Sequence, residues 1–193
     1  AELKTELHQL SILLTEEENR ILSSLTAQIQ KDFNLLEQAY NGASEYAWNF
    51  CLAKFALQYD CCLPVLTNNS EGISISQAVN LPLKLFLENI KRKYQPLEIK
   101  LSRKDNLITG PNMGGKSSAL ITIGQICTLA SLGIPLPAKN AKLPIYDEVY
   151  YNHDTGENSE TLSSFAREVV SLSTMLQHKG KKLILLDEFA KGT

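Results

Sequence analysis

Cysteine is sparse in this chain, and none of it is arranged for metal. Cys51, Cys61, Cys62 and Cys127 form no Cys-x-x-Cys pair, and no histidine stands at ligand spacing from them. That argues against a zinc knuckle and for reduced thiols in a cytosolic setting. A basic excess is also missing: 19 Lys and Arg against 21 Asp and Glu leave a net charge of −2. No global positive field announces a nucleic-acid binder, although DNA work by another part of a longer protein stays open. No apolar run reaches the roughly 18 residues of a membrane span. The start, Ala1-Glu2-Leu3-Lys4, lacks the apolar stretch of a signal peptide. The expectation is a soluble intracellular protein, cytoplasmic or, in a eukaryote, nuclear, with no membrane partner. There is no initiator Met, and the chain stops at Lys191-Gly192-Thr193 just after an apolar strand pattern; a piece of a longer protein is expected.

What is present is ordinary globular composition, 44% hydrophobic and 21% charged over 193 residues, enough for one average domain or two small ones. Thr15 and Glu18 form a capping-box pattern, followed by Leu22, Leu25, Ile29, Phe33, Leu36 and Tyr40 at spacings of three and four. This predicts a helix over 15–40, ended by Asn41-Gly42. A second helix over about 44–59, with Tyr46, Phe50, Ala53 and Leu57 on one face, would complete a helical hairpin. Pro64 and Asn68-Asn69-Ser70-Glu71-Gly72 mark a boundary, giving a helical part, 1–66, and an α/β part, 67–193. Ile73, Ile75, Leu83 and Leu85 suggest short strands, and Leu97-Glu98-Ile99-Lys100-Leu101 alternates as a strand with one solvated face. Lys91-Arg92-Lys93 reads as a solvated loop. From Leu107 strand and helix patterns alternate, as in an α/β domain with a parallel sheet.

Gly110-Pro111-Asn112-Met113-Gly114-Gly115-Lys116-Ser117 matches G-x-x-x-x-G-K-[ST]. The glycines let the backbone turn tightly and aim consecutive N–H groups at phosphate oxygens. Lys116 has the reach for the β- and γ-phosphates, and the Ser117 hydroxyl can ligate Mg²⁺. Asn106-Leu107-Ile108-Thr109 is predicted as the strand before the loop. A helix from Ser118 to Leu132, burying Leu120, Ile123, Cys127 and Ala130 and closed by Gly133, is predicted after it. That helix would point its positive end at the same anion. Downstream, Lys182-Leu183-Ile184-Leu185-Leu186-Asp187-Glu188 reads as a strand buried on both faces and ending in two carboxylates. Ligands bind at the carboxyl ends of such strands. Asp187 would hold Mg²⁺ opposite Ser117, and Glu188 would orient or deprotonate an attacking water.

These stretches go beyond a generic nucleotide binder. Thr109 to Ser117 resembles the phosphate loop of the MutS family; Ile134-Pro135-Leu136-Pro137-Ala138 resembles the segment after that family's first ATPase helix; Leu186 to Thr193 resembles its acidic strand and the loop behind it. The resemblance is dense over 106–193 and loose over 1–105. It implies an ABC-type P-loop ATPase with a parallel sheet flanked by helices, preceded by a helical hairpin at the base of lever helices. It also implies ATP and Mg²⁺ as ligands, homo- or heterodimerisation through the ATPase domain, and DNA as partner of the full-length protein. Nucleotide contacts then fall to Gly110, Pro111, Asn112, Met113, Gly114, Gly115, Lys116, Ser117 and Ser118, with Tyr94 as candidate for stacking on adenine. Thr161-Leu162-Ser163-Ser164-Phe165 resembles the signature segment, which implies that Ser163 and Ser164 serve the site of a second subunit. The isolated chain would then bind ATP well and hydrolyse it weakly or not at all.

Two departures from the family pattern stand out. Where the family carries glycine-arginine-histidine-proline, this chain reads Gln77-Ala78-Val79-Asn80-Leu81-Pro82. Pro144 to Tyr150 resembles the second MutS subfamily, linked to recombination control, whereas Met113 resembles the mismatch-repair branch; both stay open. A nucleotide-gated module without hydrolysis would need no base at Glu188. An ABC ATPase of chromosome maintenance or transport would carry Leu-Ser-Gly-Gly, which this chain lacks.

Overall fold

The computed structural model describes residues 2–68, 71–102, 105–111, 114–152 and 164–187, leaving aside the side chains of 2, 164–168 and 171. The chain falls into two units, Ala1–Cys51 and Leu52–Thr193.

The helical hairpin expected from the sequence is instead one helix, α1 (Glu2–Gln58). Gly42 sits inside it and has no neighbour within 4 Å of where its Cβ would be. One interior glycine costs about 1 kcal/mol relative to alanine, too little to break a run with no proline before Pro64. Thr15 does not cap a helix start either. Its hydroxyl donates to the Ser11 carbonyl one turn back, at 2.9 Å, because Leu3, Leu7, Leu10 and Leu14 carry the three–four spacing upstream of it. Every described residue from 3 to 51 is exposed. The helix closes at Asp60, which adopts φ 50°, with the Cys61 N–H donating to the Ala56 carbonyl at 2.9 Å, a left-handed cap built without glycine.

The second unit is mixed α/β. A four-stranded sheet runs in the order β1-β4-β2-β3, from β1 (Val65–Leu66), β2 (Ile73–Ala78), β3 (Leu97–Leu101) and β4 (Asn140–Leu143). β1 pairs parallel with β4, while β2 is antiparallel to both β3 and β4. The expected strand 97–101 is there, with the alternation that its sequence shows. Ile73 and Ile75 on β2, and Ala141 and Leu143 on β4, point inward; Ser74 and Lys142 point out. A register shift between Ile75 and Ala78 accommodates Gln77 at φ 53°.

Leu83 and Leu85 lie not on a strand but in α2 (Leu81–Asn89). The Asn80 side chain accepts from the Leu83 N–H at 3.1 Å, and Pro82 follows in the first turn. An N-cap followed by proline is a helix-start signal that outweighs two alternating leucines. α2 ends at Lys91, φ 55°, with the Arg92 N–H reaching the Leu87 carbonyl at 2.8 Å.

The other described elements are α3 (Lys116–Ser131), β5 (Glu148–Asn152), α4 (Ser164–Gln177) and β6 (Lys182–Leu186). β5 and β6 form a two-stranded parallel ladder, with α4 in the crossover between them. α3 ends as expected: Gly133 takes φ 70°, and the Ile134 N–H donates to the Leu129 carbonyl at 3.0 Å. A single core joins α3 (Ile123, Ile126, Cys127, Ala130) to β2 and β4, and Leu185 joins β6 to it.

Gly72 is held at φ 76°, and a Cβ there would lie 2.2 Å from the Leu101 carbonyl oxygen. Gly72→Ala is therefore expected to destabilise by at least about 2 kcal/mol. Lys91→Gly, which relieves a left-handed lysine, should stabilise by about 1 kcal/mol. Urea unfolding of the two variants beside the wild type checks both signs.

Candidate functional site

The glycine-rich segment before α3 turns where its glycines allow. The Gly114 N–H donates to the Pro111 carbonyl at 3.0 Å, and a Cβ on Gly114 would stand 2.8 Å from that oxygen. Gly115 adopts φ 85° and serves as N-cap of α3 without any side-chain cap. The first-turn N–H groups of α3 are thus left facing the loop, the arrangement that receives an anion. Lys116 arches back over the turn, its ammonium donating to the carbonyls of Gly110 at 3.0 Å and Pro111 at 2.9 Å. Ser117 is exposed and Ser118 half-buried. Asn112 and Met113 lie outside the described residues.

The segment before the loop departs from expectation. Residues 105–110 are irregular, not a strand. Asn106 folds back onto Ser102, accepting from its N–H at 2.9 Å and its hydroxyl at 3.0 Å, and Leu107 is 88% exposed. A strand needs a ladder partner, and none pairs with this segment among the described residues. β6 was expected to be buried on both faces; it pairs only with β5 among the described residues, so Leu185 is buried while Leu186 is exposed.

The direction of α3 over this ladder follows from two contacts. A Cβ on Gly124 would meet Leu185 Cδ1 at 3.0 Å and Val149 Cγ1 at 3.8 Å. Seven residues on, the Ser131 hydroxyl donates to the Tyr146 carbonyl at 2.9 Å, beyond the amino end of β5. α3 therefore runs antiparallel to β5 and β6, and its N-terminus lies towards their carboxyl ends. Two residues of strand advance about 6.6 Å, the rise of about four to five helical residues. Asp187, just past the end of β6, therefore lies towards the N-terminal half of α3. A serine hydroxyl and a carboxylate are hard oxygen donors of the kind that Mg²⁺ takes.

Tyr151 also belongs to this end, a residue that sequence patterns did not single out. Its hydroxyl donates to Asp187 Oδ2 at 3.5 Å. Burial, then the Asp187 charge, hold the phenol above its ordinary range, so it remains a neutral donor. Nothing in the sequence marked it, because Glu148–Asn152 shows no alternation of buried and exposed residues.

The other expected residues are dispersed. Tyr94 is half-buried, and its hydroxyl accepts from the Asn80 N–H at 2.8 Å. Glu188 and Ser163 fall outside the described residues; Ser164 opens α4, its side chain undescribed. Burial pushes the Cys127 thiol up to about 12 and that of Cys61 to about 11, so both stay protonated. No helix among the described residues is long and apolar enough to cross a membrane.

A mixed α/β unit in which a glycine-rich turn opens a helix, with a carboxylate at the end of a parallel strand, is what the described residues show. Residues 106–193 match the family model MutS domain V. The chain is 30% identical over 186 residues to the DNA mismatch repair protein MSH3 of Vanderwaltozyma polyspora, covering 94% of this chain and 18% of that protein. It is 27% identical over 197 residues to the endonuclease MutS2 of Caldanaerobacter subterraneus subsp. tengcongensis, covering 100% of this chain and 24% of the other. With MutS2 of Agathobacter rectalis the identity is 30% over 197 residues, covering 99% and 24%. These matches support membership of the MutS family. The chain spans about a quarter or less of the length of these relatives.

Gly124 tests the packing that sets this end. Gly124→Ala meets only the tip of a leucine and gains helix propensity, so stability should move by less than about 1 kcal/mol. Gly124→Val forces a branch between Leu185 and Val149 and should cost about 1–3 kcal/mol. Thermal unfolding of the pair measures the difference.

Proposed function

We propose that this chain is the ATP-binding and ATP-hydrolysing part of a MutS-type protein, coupling nucleotide to conformational change on DNA. The observation that supports it most is the direction of α3, whose N-terminus, with Lys116 and Ser117, lies towards the carboxyl ends of β5 and β6, where Asp187 follows Leu186. In this reading the loop N–H groups and Lys116 bind the phosphates, releasing Lys116 from the Gly110 and Pro111 carbonyls. Ser117 and Asp187 hold Mg²⁺, which supplies charge neutralisation at the transferred phosphoryl group when bound. Glu188 orients the attacking water. Tyr94 is the candidate adenine platform, its hydroxyl held by the Asn80 N–H.

Turnover needs more than this half-site. Ser163 and Ser164 are assigned to the site of a second subunit, in a homo- or heterodimer, and one missing donor at a reacting centre costs on the order of a hundredfold in rate. Residues 1–66 would be the base of a lever that transmits the nucleotide state. With a net charge of −2 on this chain, DNA contacts fall largely to other parts of the protein. Recombination control is the second reading of the same chemistry, favoured by Pro144 to Tyr150; relatives named for mismatch repair and MutS2 endonucleases match at similar identity.

Lys116→Ala removes a charge-assisted phosphate contact of about 1.5–3 kcal/mol. The Kd for a fluorescent ATP analogue should rise about ten- to a hundredfold, with helix content unchanged by circular dichroism. Equal affinity in wild type and variant would remove the proposed site.

A further inference from the structure

The carboxylate of Asp187 stands just past the last residue of β6, where strand geometry no longer fixes its rotamer. A group meant to face a cation there needs a second hold. On the neighbouring strand, Tyr151 pairs in register with Leu185, two residues short of Asp187, and about 6.6 Å of strand must be spanned to reach it. Tyrosine is the longest uncharged side chain that ends in a hydroxyl, and Ser or Thr at the same position would fall short. Its ring is half-buried and packs against the core.

We propose that Tyr151 is a positioning residue: its phenol donates to Asp187 Oδ2 and turns the other carboxylate oxygen towards the end of the ladder where Ser117 and Lys116 lie. The choice of a neutral donor matters. Lysine or arginine at this place would orient the carboxylate equally well but would neutralise it and compete with a divalent cation. A phenol leaves the full negative charge in place, and one of the two oxygens free. This inference rests on the reading of Asp187 as the carboxylate that faces Mg²⁺. It adds a residue that acts through Asp187 and does not itself touch nucleotide.

The test is the Mg²⁺ dependence of nucleotide binding, measured with a fluorescent ATP analogue titrated at increasing MgCl₂ and also in EDTA. Tyr151→Phe keeps the packed ring and removes only the donor. The expected result is Mg²⁺-free affinity within about twofold of wild type, while the MgCl₂ needed for half of the affinity gain rises about three- to tenfold, the worth of one hydrogen bond. In an Asp187→Asn background the same change should have no further effect, because the two residues act as one unit. Identical MgCl₂ dependence in wild type and Tyr151→Phe would overturn the assignment, as would an equal loss in the Asp187→Asn background. So would a matching loss in EDTA, which would mark a packing role. Wild-type chain that binds no analogue at all would overturn the nucleotide reading, and this inference with it.

Discussion

The second unit depends on how closely α3 approaches the β5–β6 ladder. Gly124 supplies no side chain where Leu185 and Val149 come up against the helix, so the helix can lie directly on the two strands. The Ser131 hydroxyl, bonded to the Tyr146 carbonyl, fixes the other end of the contact and with it the direction. Once that direction is set, the helix terminus with unsatisfied N–H groups and the strand terminus with a carboxylate have to share one end of the unit. The charge logic is then simple: a positive backbone terminus and Lys116 on one side, Asp187 on the other, suit an anion bridged to a divalent cation. The same packing draws in the antiparallel part of the unit, because Ile123, Ile126 and Cys127 on α3 share a core with Ile73, Ile75 and Leu143.

Elements held by local chemistry could be read from the sequence. α3 carries its own start in Gly115 and its own stop in Gly133, and its buried residues recur at helical spacing. β3 alternates by residue, and β6 is a run of apolar residues with nowhere to go but a sheet. Elements decided by competition between signals could not be read. The Thr15–Glu18 pattern and Asn41-Gly42 are real boundary chemistry, yet both lie inside α1, where helix formers on either side outweigh them. Leu83 and Leu85 alternate like a strand, but Asn80 and Pro82 decide for helix. Residues 106–109 have strand composition, and strand is a property of a pair: their pairing cannot be read from the segment itself.

The site was legible to the same extent. The residue types at Gly110–Ser117 and at Asp187 carry their chemistry in the sequence, because phosphate loops and acidic strand ends are local patterns. Their convergence is not local. It comes from the orientation of α3, which rests on a missing side chain at position 124 that no spacing rule marks. Tyr151 was invisible for the same reason, since its partner lies 36 positions away in the chain and across a ladder whose register only folding sets.

Convergence is also the claim most open to direct measurement. With ATP bound and Fe²⁺ in place of Mg²⁺, ascorbate and peroxide generate hydroxyl radicals at the metal, which cut the nearest backbone. Mapping the cuts by mass spectrometry should show two ATP-dependent groups in the same sample, one around Lys116–Ser118 and one around Leu186–Glu188. Cuts confined to only one of these segments, or unchanged when ATP is omitted, would contradict the account.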